Sequence, residues 1–168
     1  MSHPLVLALF STPSAAAAAA RALHAAGVTR EQISVVARSH DEEGALAEQM
    51  GATPGADIED SRAAAVLGEL SAQVLAAIAV VLPGIGPIVA AGPLSAGLGE
   101  AAGHVAGSVA SVLKHAGVPE QRAEHFQREV ERGAILLGIH TAPVDLSSLK
   151  ETLVSSGARD IEQAVWDN

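Results

Sequence analysis

The sequence predicts an α+β fold, and three observations indicate it. Short apolar runs bounded by turn residues occupy 5–10, 33–38 and 134–141, and such runs are typical of buried strands. Segments with helical patterns follow the first and the third of these runs. A weaker run at 161–166 supplies a fourth strand. The resulting order, strand-helix-strand twice over, is the ferredoxin-like split βαβ pattern, with residues 39–132 inserted between its second and third strands.

The first helix has sequence signals at both of its ends. Thr12 followed by Pro13 supplies an N-cap and a proline at the first helical position. An alanine-rich stretch continues to about Ala26, and Gly27 then provides a stop. We therefore predict a helix over about 13–26 between the first two strands.

Two further helices are predicted in the second half of the chain. One extends from Pro119 to about Arg132, and the other extends from Asp145 to Gly157. Each of them has its apolar residues at helical spacing on one side, which indicates a face that packs on the sheet. These residues are Ala123, Phe126 and Val130 in the first helix, and Leu146, Leu149 and Leu153 in the second.

The insertion contains two ladders of small residues at four-residue spacing. The first ladder is Ala64, Gly68, Ala72 and Ala76, and the second is Ser95, Gly99, Gly103, Gly107 and Ser111. The position numbers of facing residues have a constant sum, as an antiparallel hairpin requires, and the turn falls in Pro83-Gly-Ile-Gly-Pro87. Small residues on one helix face allow close approach of two backbones. The sequence therefore predicts an antiparallel helical hairpin over about 62–116, kinked or broken at Pro93.

We expect these elements to form one domain. Residues 1–38 and 133–168 make its ferredoxin-like sheet core, while 39–132 provide an acidic linker, the helical hairpin and the short helix after Pro119. The alternative is a continuous helical bundle in which the short apolar runs are helical, because periodicity alone does not separate short buried strands from helices.

Both faces of the predicted sheet are apolar at its centre. Along the first strand Leu5, Leu7 and Leu9 alternate with Val6, Ala8 and Phe10. An open antiparallel sheet normally alternates apolar with polar residues, because one of its faces meets water. Two short helices cover one face, so the inserted helices or a second subunit must cover the other. We expect a homo-oligomer, with a dimer favoured, or an insertion folded over the sheet.

The composition excludes several classes of function. The formal net charge is −9 and the ten Lys and Arg residues are scattered, which argues against a nucleic-acid binder. The chain has no cysteine, so it has no disulfide or thiolate chemistry. Its first ten residues lack the basic region of a signal peptide, and we expect a cytoplasmic protein.

An uncharged stretch from Leu70 to Gly99 raises the alternative of membrane contact. The turn at 82–87 divides it into halves of about a dozen residues, whereas one membrane-spanning helix needs ~20. A buried hairpin is therefore the favoured interpretation. Insertion of the hairpin into a membrane, or contact with an apolar ligand or with the membrane periphery, is the alternative.

Histidine and carboxylate spacing provides weak metal-ligand candidates. Glu100 and His104 are four residues apart, and His115 continues the same polar stripe of the predicted second hairpin helix. Two helical ligands at this spacing can share a metal ion, but the H-E-x-x-H motif and the paired Glu-x-x-His motifs of di-iron bundles are absent. A solvated polar stripe is the favoured interpretation. His140 lies in a predicted strand, where a lone histidine is more often structural.

The sequence contains no recognisable catalytic motif. It has no G-x-S-x-G element and no P-loop lysine, and its glycine clusters do not follow a strand and open a helix as dinucleotide-binding loops do. We therefore predict no enzymatic activity, no catalytic residue and no cofactor.

Several segments together resemble a known family. They are 27–38 (GVTREQISVVAR), 82–87 (LPGIGP), 90–94 (AAGPL), 117–120 (GVPE) and 133–137 (GAILL). Their pattern is similar to that of the bacterial general stress protein (YflT-like) domain over nearly the whole chain. The resemblance implies a small stress-associated protein without an established catalytic role, and it implies no particular binding residue.

Three functional hypotheses follow. The favoured one is a non-enzymatic stress-response protein that acts by self-association or partner binding through its apolar hairpin and sheet face. The second is a membrane-associating module that inserts its hairpin. The third is a metal-dependent or ligand-carrying protein that uses Glu100, His104 and His115.

Overall fold

A computed structural model describes residues 2–38, 78–82, 86–102, 107–141 and 145–167. In chain order, the described elements are β1 (Ser2–Phe10), α1 (Pro13–Ala25), β2 (Ile33–Arg38), β3 (Ile78–Leu82), β4 (Gly86–Ala91), α2 (Leu94–Ala102), α3 (Val109–His115), α4 (Glu120–Glu131), β5 (Ile135–His140), α5 (Leu146–Ser155) and β6 (Arg159–Asp167). A short 3₁₀ turn, Arg30–Gln32, precedes β2. The predicted α+β class is confirmed. All four predicted strands are present, as β1, β2, β5 and β6, and their presence excludes the helical-bundle alternative.

The described strands form one antiparallel sheet in the order β3-β4-β2-β5-β1-β6. Helix α1 connects β1 to β2, and these two strands flank β5. Helix α5 likewise connects β5 to β6, which flank β1. The three inner strands β2, β5 and β1 have buried residues along most of their length.

The local helix signals act as the sequence predicts. Thr12 Oγ1 accepts a hydrogen bond from the Ala15 N–H at 3.2 Å, and Asp145 Oδ1 accepts one from the Ser147 N–H at 3.0 Å. Each bond satisfies a backbone donor that the first helical turn leaves free. Helix α1 ends before Gly27, whose φ of +97° is the left-handed conformation that favours glycine.

Helices cover both faces of the sheet. On one face, α1 and α5 pack through Leu23, Leu149 and Leu153 against the side of the sheet that includes Phe10 and Ile139. On the opposite face, α2, α3 and α4 form the second core cluster with the sheet. Its members include Leu94 and Leu98 from α2, Leu113 from α3, Phe126 and Val130 from α4, and Leu5, Leu7, Val36 and Leu136 from the strands. The prediction that inserted helices cover the second face is confirmed for these residues.

The prediction of a helical hairpin is wrong for residues 78–91. They form the β-hairpin β3–β4, in which Val80 pairs with Ile88. Strand β3 is rich in β-branched residues, which favour a pleated surface over a helix, and β4 contains Ile88 and Val89. A constant sum of position numbers holds for any antiparallel hairpin, and residues four apart share a face in a strand as well as in a helix. The pattern that predicted helices therefore does not distinguish them from strands.

The second arm of the predicted hairpin is also not one continuous helix. Pro93 precedes α2 as a break, and α2 and α3 are separate helices, so Ser95 and Ser111 lie on different helices. The close approach of these helices occurs at Gly97, outside the predicted ladder, where a Cβ atom would lie 3.0 Å from Val112 Cγ1. Of the other ladder residues, Gly99 lies in α2, Gly107 precedes α3, and Ala64, Gly68, Ala72, Ala76 and Gly103 lie outside the described residues. The predicted acidic linker lies outside them too.

Among the helices that the structure describes, none combines the length and the apolar character needed to cross a membrane. The uncharged stretch 70–99 instead contributes β3, β4 and the start of α2 to the sheet and its cover, as far as it is described.

Candidate functional site

A polar cluster lies at one end of the sheet, on the face covered by α2, α3 and α4. It comprises His3 near the start of β1, Ser34 in β2, His140 at the end of β5 and Trp166 in β6. Strand alternation places these side chains on the same face of the sheet as Leu5, Val36 and Leu136. The polar cluster lies at one end of the apolar core on this face. The cluster therefore connects four of the six described strands.

A chain of hydrogen bonds runs through the cluster from α2 to β1. The backbone N–H of Leu94, the first residue of α2, donates to Ser34 Oγ at 3.0 Å. The same oxygen lies 2.9 Å from His140 Nε2, and His140 Nδ1 lies 3.3 Å from His3 Nε2. Ser34 is fully buried and His140 is 5% exposed, while His3 is half-buried and stands nearest to water.

With a neutral His140, two arrangements of protons give every contact in this chain a donor and an acceptor. In both, Ser34 Oγ accepts from the Leu94 N–H. In the first arrangement Ser34 donates to His140 Nε2, and His140 donates from Nδ1 to His3 Nε2. In the second, His140 donates from Nε2 to Ser34 and accepts at Nδ1 from His3, because a hydroxyl oxygen can accept two hydrogen bonds.

Burial keeps His140 in that uncharged form. Desolvation, with a smaller contribution from the charge of His3, lowers the pKa of His140 from 6.5 to about 4. Desolvation acts in this direction because it disfavours the charged form of a histidine. At neutral pH His140 is therefore a hydrogen-bonding group and not a cation.

Trp166 completes the cluster and contacts both histidine rings. Its ring is stacked with that of His3 at a centroid distance of 6.1 Å and an interplanar angle of 12°. It meets His140 edge-on at 4.8 Å and 65°. Offset stacking and edge-to-face contact are the favoured arrangements of aromatic rings, so Trp166 fixes the orientation of both imidazoles.

The distance between Ser34 and His140 is that of a nucleophile and its general base. Nucleophilic catalysis does not follow from it, because Ser34 is fully buried and both polar contacts of its oxygen are made within the protein. What the chain of contacts can do is transmit a change of protonation from the half-buried His3 to the N–H group at the start of α2. Only the directions of the hydrogen bonds change, because the backbone amide at the end of the chain neither gains nor loses a proton.

A second set of polar side chains joins α4 to β6. Arg122 Nε lies 2.7 Å from Glu162 Oε2, and His125 Nε2 lies 2.8 Å from Asp160 Oδ2. The hydrogen bond from His125 is the main cause of the lowered pKa of Asp160. Glu129 contacts Arg159 of β6 and also Arg132 in its own segment of the chain. These ion pairs are partly exposed and link the outer strand to its covering helix.

The metal candidates from the sequence are not assembled by the described residues. His104 lies outside these residues, and Glu100 lies in α2. His115 is exposed near the end of α3, where its Nδ1 lies 3.0 Å from the Ser111 carbonyl oxygen. Within the described part of the chain, no group of three or more His, Asp or Glu residues is placed to hold a metal ion.

Sequence reasoning considered His140 only as an isolated strand histidine and missed its partners. The observed register pairs Leu5 with His140, so His3 is its diagonal neighbour on the same face of the sheet. His3 lies near the start of β1 and His140 at the end of β5, so knowledge that these strands pair antiparallel would have predicted that the two histidines are neighbours. Ser34 and Trp166 carry no comparable signal, because their roles depend on packing with α2 and β1.

Comparison of the chain with protein-family models, with curated proteins and with solved structures finds no match.

Proposed function

We propose that this protein acts without catalysis, by associating with a second copy of itself through the edge strand β3. One observation carries the proposal. Strand β3 is the outermost strand on its side of the sheet, and its sequence, Ile-Ala-Val-Val-Leu, contains no charged residue and no proline. Its pairing with β4 uses one of its two edges, and its other edge pairs with no strand among the described residues.

An edge of this kind normally carries a device that prevents association. Charged side chains, prolines and bulges are the usual devices, because free backbone N–H and C=O groups otherwise pair with any compatible strand. The absence of charge and proline from β3 favours an edge that is used for pairing. The earlier reason for expecting an oligomer, an uncovered sheet face, no longer applies, because helices cover that face.

The chemistry of β3 favours a second copy as the partner. Two β3 strands related by a twofold axis would pair antiparallel, and each would donate and accept the same hydrogen bonds. No like charges would meet in this contact, although each chain has a formal net charge of −9. The association would join two six-stranded sheets into one.

The order β2-β5-β1-β6, with helices linking β1 to β2 and β5 to β6, supports a ferredoxin-like split βαβ unit as the core of this assembly. In this proposal β3, β4 and the helices α2, α3 and α4 are the inserted part. A role in a bacterial stress response rests on the family resemblance of the sequence alone, and it gives the proposed association its biological setting.

Size-exclusion chromatography with light scattering tests the association. We expect a dimer for the unchanged chain and a monomer for Val80→Lys, because Val80 is the central residue of β3 and the lysine would place a charge in the paired strands. Gln163→Lys adds the same charge to an exposed position of β6 and is expected to leave the dimer intact. A monomer for the unchanged chain at all accessible concentrations would refute the proposal.

A pair of proline variants separates loss of association from loss of fold. Adjacent residues of a strand direct their N–H groups to opposite edges. Of Ala79→Pro and Val80→Pro, one therefore removes a donor from the outer edge and the other removes a donor to β4. We expect one variant to be a monomer that melts near the temperature of the Val80→Lys monomer, and the other to melt at a lower temperature, because dissociation alone removes only the stabilisation due to association. Two variants that both keep the mass of a dimer would contradict pairing at this edge.

A further inference from the structure

The geometry points to a proton-sensitive latch at the start of α2. The hydrogen-bonded chain from His3 through His140 and Ser34 holds the first turn of α2 on the sheet. Protonation of both histidines releases this turn. The inference concerns a different part of the molecule from the β3 edge and does not depend on the proposed association.

The part of α2 that is held is its N-terminal end. Leu94 is fully buried, its N–H donates to Ser34, and its Cδ1 atom fills the space beside Gly138, where a Cβ atom would lie 3.0 Å away. The backbone just before it is equally close to the sheet, because a Cβ atom on Gly92 would lie 2.1 Å from the Ile33 carbonyl oxygen. A change in the position of Ser34 therefore acts directly on the start of the helix.

The first proton is accommodated without separating the rings. If His3 becomes charged, its Nε2–H donates to His140 Nδ1, and His140 then carries its own proton on Nε2. Ser34 Oγ consequently faces two N–H donors, from His140 and from Leu94, and its hydroxyl proton turns away from His140. The chain remains connected, and His140 now donates to Ser34 and accepts from His3.

The second proton cannot be accommodated. It places an N–H on each of the two nitrogens that lie 3.3 Å apart, and it brings two positive charges together at a nearly dry position. The rings must then separate, and His140 carries the Ser34 contact with it. Burial and the charge of His3, which hold the pKa of His140 near 4, put this step in the acid range.

In the described part of the chain, no neighbouring group offsets the two charges. Around His140, β1 contributes His3, β2 contributes the uncharged Ser34, β6 contributes Trp166, and α2 contributes a backbone N–H. Among the described residues, no carboxylate forms an ion pair with either imidazole. A device of this kind, two histidines whose joint protonation breaks a packed contact, is a recognised form of pH sensor.

The protein contains its own reporter of the latch. Trp166 is the single tryptophan of the chain and contacts both rings, so tryptophan fluorescence between pH 3 and pH 8 follows this cluster alone. Hydrogen exchange of a peptide covering 92–102, corrected for the intrinsic rate at each pH, follows the start of α2. We expect both signals to change together near pH 4, with exchange at least tenfold faster, while far-UV circular dichroism is retained.

Four variants give the test its controls. His3→Gln removes one of the two protonations and leaves an amide oxygen that can accept from a protonated His140 Nδ1, so it should abolish the acid-dependent rise of exchange in 92–102. Ser34→Ala should accelerate exchange in 92–102 at neutral pH by at least tenfold and abolish its pH dependence. His140→Gln should abolish the acid transition, and His115→Gln, at the exposed histidine of α3, should leave the wild-type behaviour unchanged. In the unchanged chain, exchange in 92–102 that stays constant while Trp166 responds would overturn the inference, as would an acid-dependent rise of exchange that persists in His3→Gln.

Discussion

The two edges of the sheet are built in opposite ways. At the β6 edge, Arg122 and His125 of α4 form ion pairs with Glu162 and Asp160 of the strand. The turn after α3 also lies against this strand, because a Cβ atom on Gly117 would lie 2.4 Å from the Val165 carbonyl oxygen. At the β3 edge the strand consists of five uncharged residues, and in the described part of the chain no ion pair reaches it.

The comparison shows two ways in which a sheet can end. Charged residues along β6 discourage pairing with another strand and at the same time attach the strand to a helix of its own chain. The uncharged β3 has no such restriction and is attached through its pairing with β4 and its packing with α2. The polar cluster of His3, His140 and Ser34 lies between these two regions and connects β1 and β5 to β2 and α2.

The largest effects are expected at two glycines, one on each side. Gly92 and Gly117 both have positive φ angles, and a Cβ atom on either would meet a backbone oxygen, that of Ile33 at 2.1 Å or that of Val165 at 2.4 Å. Replacement of either glycine by alanine should lower the free energy of unfolding by roughly 3 kcal/mol or more, because left-handed strain and a backbone clash add together. Chemical denaturation measures this loss.

Gly157→Ala is the matched control. Gly157 has a φ of +93° but open space around the position of a Cβ atom, so only the conformational cost applies. That cost is about 1–2 kcal/mol. Equal losses for all three variants would mean that the close approaches at Ile33 and Val165 do not contribute.

The next effect concerns the connection between the two sides and depends on pH. The pKa of His140 is about 4 in the folded protein and 6.5 without burial. Between pH 4 and pH 6.5 the unfolded chain binds a proton at His140 that the folded chain does not. The free energy of unfolding is therefore highest above pH 6.5 and decreases as the pH falls towards 4. The loss amounts to about 3 kcal/mol, and urea denaturation at a series of pH values measures it.

The free energy of unfolding of the His140→Gln variant should be nearly independent of pH between 4 and 6.5. The lowered pKa of Asp160 also stabilises the folded state, but that contribution is lost as the pH falls below its ordinary value of 3.8. The two effects therefore occupy different pH ranges. A wild-type stability that is constant from pH 6.5 to pH 4 would show that His140 is not buried in an uncharged form.

The smallest effect is expected at the ion pairs of the β6 edge. A double-mutant cycle with Arg122→Met and Glu162→Gln should give a coupling energy of about 0.5 kcal/mol that decreases with added salt, because the pair is partly exposed. The guanidinium carbon of Arg122 also lies 5.1 Å from the centroid of the Phe126 ring, and the cycle cancels the loss of this contact because it occurs with and without Glu162. The same cycle at Lys114 and Glu120, a more exposed pair, should give a coupling close to zero. A larger coupling there than at Arg122 would contradict the assignment.

The sequence predicts the parts of the fold that depend on local signals. The N-cap at Thr12, the glycine stop after α1 and the apolar stripes of α4 and α5 act over a few residues, and the structure confirms them. The hairpin at 78–91 required a choice between two elements that share a spacing of four residues, and the β-branched residues of 78–82 indicated the correct one. The cluster of His3 and His140 depends on strand order, which brings together residues 137 positions apart. Periodicity contains no information about that order.

The position of β3 and β4 has a consequence for how this chain could be shortened or have arisen from a shorter one. They extend the sheet outward from β2, and Ile88 and Ala90 belong to the same core cluster as Val36 and Leu5. A shortened chain that joined Arg38 directly to Gly133 would retain four strands. It would lose the helices α2, α3 and α4 from one face of the sheet, and the edge of β2 that pairs with β4 would be exposed. The interior of this protein is thus shared between the inserted segment and the strands around it, so removal of either part would expose core residues of the other.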